Sequence, residues 1–166
     1  MNLPSFFLEL LDNSVLCWSL IACLIAQFSK LFIELIFSQK WRPAVLIETG
    51  GMPSSHSALV TATASGIGLK IGFDNPEFAL ASTLAFIVMY DASGIRRSAG
   101  VIATRVNELP VESWPSLPLK PLKETLGHSR IEVFVGALIG PAIAVPGILL
   151  IGSPISWMEN LGFLLG

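Results

Sequence analysis

Charge is scarce in this sequence. Asp, Glu, Lys and Arg supply 13% of its 166 residues, about half the share usual in soluble domains. Hydrophobic residues make up 52% and the mean hydropathy is +0.70. A soluble fold of this length exposes far more charge, so the composition excludes one and points to an integral membrane protein. No Lys/Arg run and no interleaving of basic with aromatic residues occurs, which argues against a nucleic-acid partner. Cysteine is nearly absent: Cys17 and Cys23 lie six residues apart in one apolar run. On a helix that spacing separates them by about 9 Å, beyond disulfide reach, and they read as small buried hydrophobes. No cysteine spacing suits a metal. Residues 1–14 contain no Lys or Arg, so the basic start of a signal peptide is missing. The chain is read as mature throughout and as a single domain, residues 1–166. Histidine is as rare as cysteine, with only His56 and His128.

Long apolar runs are what the sequence has in place of charge. A membrane-spanning helix needs about 20 mostly apolar residues. Four segments approach that: residues 14–37, 54–71, 77–95 and 131–151. The second is rich in Ala, Ser, Thr and Gly, and "GALIG" (136–140) in the fourth is a small-xxx-small pattern; both favour close helix contact. The predicted fold is all-α, an integral membrane bundle of about four transmembrane helices. A loop-rich, Pro-containing insertion separates the third from the fourth, and residues 98–109 can continue as helix before Pro110. The last fourteen residues are too short and broken to span. Four spans place the loops 38–53 and 96–130 on one face, with eight of the ten Lys+Arg. The positive-inside rule makes that face cytoplasmic, in the plasma or an internal membrane of a bacterium-like cell.

Both histidines fall on this face. Pro53-Ser54-Ser55-His56 reads first as a helix start, with Ser54 or Ser55 as N-cap. A helix N-terminus also attracts phosphate, and Gly50 and Gly51 allow close backbone approach. His128 and Glu132 are four apart, so on a helix they share a face. Glu132 can then accept from one ring nitrogen and leave the other aimed outward as a nucleophile. Arg42 closes the first span, and Arg96 and Arg97 close the third. Asp91, one turn inside the third, is placed to pair with Arg96, Arg97 or Arg42, since intramembrane charges are costly alone. Each feature singly reads as a cap or an interfacial anchor. Jointly they equip one face for phosphoryl transfer: arginines on phosphate oxygens, one His attacking phosphorus, the other protonating the leaving oxygen.

This set resembles the type 2 phosphatidic acid phosphatase and vanadium haloperoxidase superfamily, and more narrowly its small divergent membrane branch. The superfamily carries a Lys with Arg-Pro, then Pro-Ser-Gly-His, then Ser-Arg followed by His and, four residues on, Asp. Arg42-Pro43, Pro53-Ser54-Ser55-His56 and His128 with Glu132 match these in order, and "YDASGIRRSAG" looks typical of the divergent branch. The likeness covers roughly residues 30–141. It implies His128 as the nucleophile that becomes phosphohistidine, Glu132 as its orienting carboxylate and His56 as general acid. It implies Arg42 and one of Arg96 or Arg97 as phosphate clamps, with Ser54 and the backbone near Ser55 as further donors. It implies no metal ion or cofactor. Three positions depart: Ser55 replaces Gly, Leu122 stands where the third-motif Arg belongs, and Leu35 stands where the first-motif Lys belongs. Lys30 or Lys40 is then the substitute for that lysine.

The function expected is hydrolysis of a phosphate monoester or diphosphate, free or lipid-linked, by a membrane protein whose partners are that phosphorylated molecule and membrane lipids. The alternative is a catalytically inactive anion-binding or transport-associated protein on the same scaffold. Vanadate-dependent halide oxidation is a third, weaker option.

Overall fold

The computed structural model describes residues 5–39, 41, 43–46, 50–110, 121–160 and 162. Among these every regular element is helical. The order is α1 (Ser5–Asp12), α2 (Ser14–Ser38), a short 3₁₀ turn (Pro43–Leu46), α3 (Ser55–Ile71), α4 (Pro76–Ser93), α5 (Ile95–Asn107), α6 (Arg130–Pro146), a π-helical turn (Gly147–Ile151) and α7 (Pro154–Asn160). The boundaries follow local chemistry. Asn13 caps α2 by accepting from Leu16 N at 3.0 Å. Ser54 caps α3, Pro76 opens α4 where a missing N–H costs nothing, and Ser129 with Glu132 forms a capping box on α6. Pro146 removes a backbone donor at the end of α6, and the π turn follows at once.

Three stretches are long and apolar enough to cross a membrane: Ser14–Ser38, Pro76–Asn107 and Arg130–Asn160, of 25, 32 and 31 residues. Among the described residues, three of the about four expected spans meet that criterion. The second predicted span forms as α3 but has only 17 residues, about 26 Å of helix against a hydrocarbon core of about 30 Å. The third is longer than expected because α5 continues α4, with a bend at Gly94 (φ −107, ψ −87). Predicted and observed starts and ends of the four main segments otherwise agree within about two residues.

The composition of α3 is explained by its place. It lies at the centre, packed on α2, α4 and α6, and buries Ser57, Ala58, Ala62, Ala64, Gly66 and Gly68. Small side chains let backbones approach, which is how helices associate where lipid removes the hydrophobic drive. The "GALIG" expectation is met from the other side. A Cβ on Gly136 would fall on the Ser54 carbonyl oxygen, and one on Gly140 on Thr61 and the Ala58 carbonyl. At the far end Ala22, Ala62, Ala144 and Ile148 form a small core with Val15, Trp18 and Ile143. There Trp18 Nε1 donates to Gly152 O at 2.8 Å. Cys17 and Cys23 are free thiols.

Candidate active site

The site is built where α3 and α6 begin. Ser54 N donates to Glu132 O at 3.0 Å, so the N-cap of one helix is fastened to the first turn of the other. Two helix N-termini therefore meet, each with N–H groups pointing out and a partial positive charge. A third contribution comes from α4: His128 N donates to Ala92 O at 2.9 Å.

The segment that delivers His128 is gripped along α5. Asn107 donates from Nδ2 to Leu122 O at 2.9 Å and to Glu124 Oε1 at 2.7 Å. Leu122 N donates back to Asn107 Oδ1 at 2.9 Å, and Thr104 donates to Glu124 Oε2 at 3.1 Å. The passage then crosses α5 at Gly100, where a Cβ would stand 2.7 Å from Glu124 O and 2.9 Å from Leu126 O. Gly127 (φ +79) turns the chain against the Arg96–Arg97 backbone, a conformation that glycine adopts without strain. Gly50 packs beside it, its Cβ position 3.5 Å from Gly127 O. None of Gly100, Thr104, Asn107 or Glu124 was singled out in the sequence. Gly127, directly before His128, is the local signal that could have found the turn.

His128 is 3% exposed. Its Nδ1 lies 3.0 Å from Glu132 Oε2, and the same oxygen accepts from Ser129 N at 3.1 Å. A carboxylate only accepts, so the neutral ring carries its proton on Nδ1 and its lone pair on Nε2. Nε2 is buried and has no hydrogen-bond partner among the described residues. The Gly51 backbone lies close enough to act on the ring without meeting hydrogen-bond geometry at Nε2. Burial pushes the His128 imidazole below its ordinary value. The Lys30 ammonium adds to this, against the opposing pull of the Glu132 hydrogen bond. The ring is thus held neutral, the form in which nitrogen attacks.

Around it stand His56, Arg96 and Lys30. His56 is exposed on the first turn of α3, within electrostatic reach of Arg96, His128 and Lys30. Lys30, on α2, is 2% exposed and acts on Glu132 as well as on both histidines. A buried intramembrane ammonium within electrostatic reach of a carboxylate and two imidazoles is costly. Arg96 Nε binds Asp91 Oδ2 at 2.5 Å, which selects one of the three pairings open to Asp91. Arg97 turns aside, lining a shallow surface pocket with Ser93, Ser98 and Ile102. Its charge is not among those acting on either imidazole.

The remaining expected site residues divide. The Ser54 hydroxyl is fully buried and is used as a cap, accepting from Ser57 N at 3.3 Å and Ser57 Oγ at 2.9 Å. Ser55 is the buried first residue of α3. Lys40 and Arg42 lie outside the described residues.

An all-α chain with three such helices is an integral membrane protein. Residues 11–143 match the Divergent PAP2 family, and the chain belongs to that family. It therefore falls within a PAP2-like phosphatase superfamily carried on a membrane helical scaffold, whose substrate class is phosphorylated small molecules and lipids. It is also similar to the uncharacterized membrane protein YuiD of Bacillus subtilis (strain 168), with 43% identity over 146 residues, 80% of this chain and 92% of that protein. No solved structure matches.

Proposed function

We propose that this protein is a membrane phosphatase that hydrolyses a phosphate monoester or diphosphate through a phosphohistidine at His128. The observation that carries this is the buried imidazole with Nδ1 held by Glu132 and Nε2 without a hydrogen-bond partner among the described residues. Nε2 attacks phosphorus, forming the N–P bond as the bond to the leaving oxygen breaks. His56, protonated, gives its proton to that oxygen. Water deprotonated by His56 then attacks the phosphorus, the N–P bond breaks back to Nε2, and phosphate leaves. Lys30 and Arg96, with the two helix N-termini, offset the charge on the phosphoryl oxygens. Lys40 and Arg42 complete the phosphate-binding set as proposed from sequence, with Arg96 rather than Arg97 as the second arginine and the backbone near Ser55 as a further donor.

We place α3 as a fourth span in a single domain over residues 1–166, with the site end cytoplasmic. Cysteine introduced at Ser116 and probed with a membrane-impermeant thiol reagent reports the sidedness: labelling only after lysis supports it, labelling in intact cells refutes it. The enzymatic test is purified protein against lipid phosphates and diphosphates. Loss of turnover in His128→Ala and in His56→Ala is expected, and activity that survives His128→Ala sinks the mechanism. A second reading, an anion-binding protein without turnover, draws on Leu122 and Ser55 at motif positions and on Arg96 being held by Asp91. Vanadate binding without hydrolysis of any phosphate in the panel favours it.

A further inference from the structure

His128 reaches the site at the end of a non-helical passage, residues 122–128. The passage runs antiparallel to α4 and α5 and follows one stripe of them. Asn107 meets Leu122 and Glu124, Thr104 meets Glu124, and Gly100 leaves room for the Glu124 and Leu126 carbonyls. Gly127 then lies against the Arg96–Arg97 backbone, and Ala92 O accepts from His128 N at 2.9 Å. Ala92, Arg96, Gly100, Thr104 and Asn107 are three or four residues apart, the spacing of a single helical face. Within the passage, Glu124 O accepts from Leu126 N at 2.8 Å, which takes up slack between the two ends.

Polar bonds rather than burial hold the passage, since Leu122, Lys123, Glu124 and Thr125 are all exposed. The Asn107 amide is matched on both atoms. Its Oδ1 accepts from Leu122 N at 2.9 Å, and its Nδ2 donates to Leu122 O at 2.9 Å and to Glu124 Oε1 at 2.7 Å. Hydrogen bonds are directional, so this reciprocal pairing fixes orientation as well as distance. Exposed bonds of this kind add little to global stability, because water replaces them in the unfolded chain. Their effect is local: they set where the chain enters the site. About 22 Å of helix separates Asn107 from Ala92, so clasp and nucleophile stand at opposite ends of one stripe. The bend at Gly94 falls between those ends, and the Arg96–Asp91 ion pair bridges it.

We infer that Asn107 and Glu124, linked through Thr104, are positioning residues that hold His128 Nε2 where the phosphoryl group is attacked. They touch no substrate and act through the passage. This rests on the phosphatase reading for what Nε2 does, and adds the residues that place it. Glu132 fixes the rotation of the ring through Nδ1; the clasp fixes where the backbone of His128 stands. A reacting atom displaced by about 1 Å loses about 100-fold in rate, so a small shift of the passage is felt in catalysis before it is felt in the fold.

The experiment uses the full chain in lipid nanodiscs with two readouts. One is steady-state hydrolysis of hexadecyl phosphate. The other is the rate at which diethyl pyrocarbonate acylates His128 and, separately, His56, read by mass spectrometry. Asn107→Ala removes the bonds to Leu122 and Glu124; kcat is expected to fall about 100-fold with KM unchanged. In the same variant His128 acylates faster while the exposed His56 keeps its rate. Asn107→Asp sets two carboxylates against each other and lowers kcat alike, and adding Glu124→Gln restores an amide–carboxylate pair and recovers most of the loss. Thr104→Val, which loses one bond, shows smaller changes in the same direction and serves if Asn107→Ala does not fold. Trp18→Phe loses the bond to Gly152 at the far end of the bundle and controls for stability alone: its unfolding midpoint drops while both readouts hold. Asn107 variants that behave like Trp18→Phe overturn the assignment. So do acceleration at both histidines together, movement of only one readout in an active protein, and a double variant no better than Asn107→Asp. If the wild type hydrolyses no phosphate, the phosphatase reading fails and acylation decides the clasp: faster reaction at His128 in Asn107→Ala supports it, and an unchanged rate overturns it.

Discussion

Replacing Glu132 separates its two tasks. Its Oε2 accepts from His128 Nδ1 at 3.0 Å and from Ser129 N at 3.1 Å. Glu132→Ala leaves a 3% exposed imidazole N–H unpaired, and a hydrogen bond to a charged group is worth about 1.5–3 kcal/mol. The capping-box half adds about 1 kcal/mol. Because Glu132 is itself part-exposed, water recovers some of the second term, and a loss of roughly 2–4 kcal/mol of stability is expected. Glu132→Gln keeps the volume and an acceptor and costs about 1 kcal/mol. Catalysis is the sharper readout. As Nε2 bonds to phosphorus the ring becomes cationic, and a carboxylate about 3 Å away stabilises it by up to about 5 kcal/mol at an effective dielectric of about 20. The amide dipole restores part of this, so Glu132→Gln lowers kcat by roughly two to four orders of magnitude. Thermal unfolding in detergent and steady-state hydrolysis of a lipid phosphate give the two numbers. If Glu132→Gln keeps kcat within about tenfold of wild type, the carboxylate only caps α6 and the assignment of His128 is wrong.

Further outcomes follow from the same geometry. Gly136→Ala gains about 1 kcal/mol of helix propensity but sets a methyl on the Ser54 carbonyl, with Ser54 C and Ser57 Cβ 3.1 Å away. A backbone oxygen has no rotamer to retreat to, so overpacking of about 1–3 kcal/mol prevails and stability falls; an unfolding midpoint equal to or above wild type refutes the close contact. Lys30→Met removes the buried ammonium that acts on Glu132 and both imidazoles and weakens vanadate binding; unchanged vanadate affinity shows that Lys30 does not serve the anion. The burial that lowers His128 has a definite sign in pH. Unfolded histidine takes a proton below about pH 6.5 while native His128 stays neutral, so the unfolded state binds more protons there. Stability falls as pH drops through about 6.5, and above that value the group adds no pH dependence. In His128→Gln the midpoint measured between neutral and mildly acidic pH declines less steeply than in wild type, and identical slopes contradict the assignment.

Much of this was readable locally. Ser54 and Ser129 cap the helices that the sequence places after them, because a cap is an interaction between residues three apart. The His128–Glu132 bond was legible for the same reason, since four residues bring two side chains onto one helical face. The clustering of small residues in α3 and of Gly136 and Gly140 in α6 announced close packing without saying which helices would meet.

Chain order by itself thus determined an all-α membrane protein, the ends of its main helices, and the pairing of His128 with Glu132. These are properties of composition and of contacts within a turn. Tertiary structure alone decided that α3 is the hub, that Arg96 rather than Arg97 binds Asp91, and that Lys30 faces the imidazoles from within the bundle. Only the fold, too, holds the Leu122–Gly127 passage along α5 by Asn107, Thr104 and Gly100. Each depends on how helices rotate and lean relative to one another, and that is set by packing summed over the bundle. No spacing along one segment encodes it.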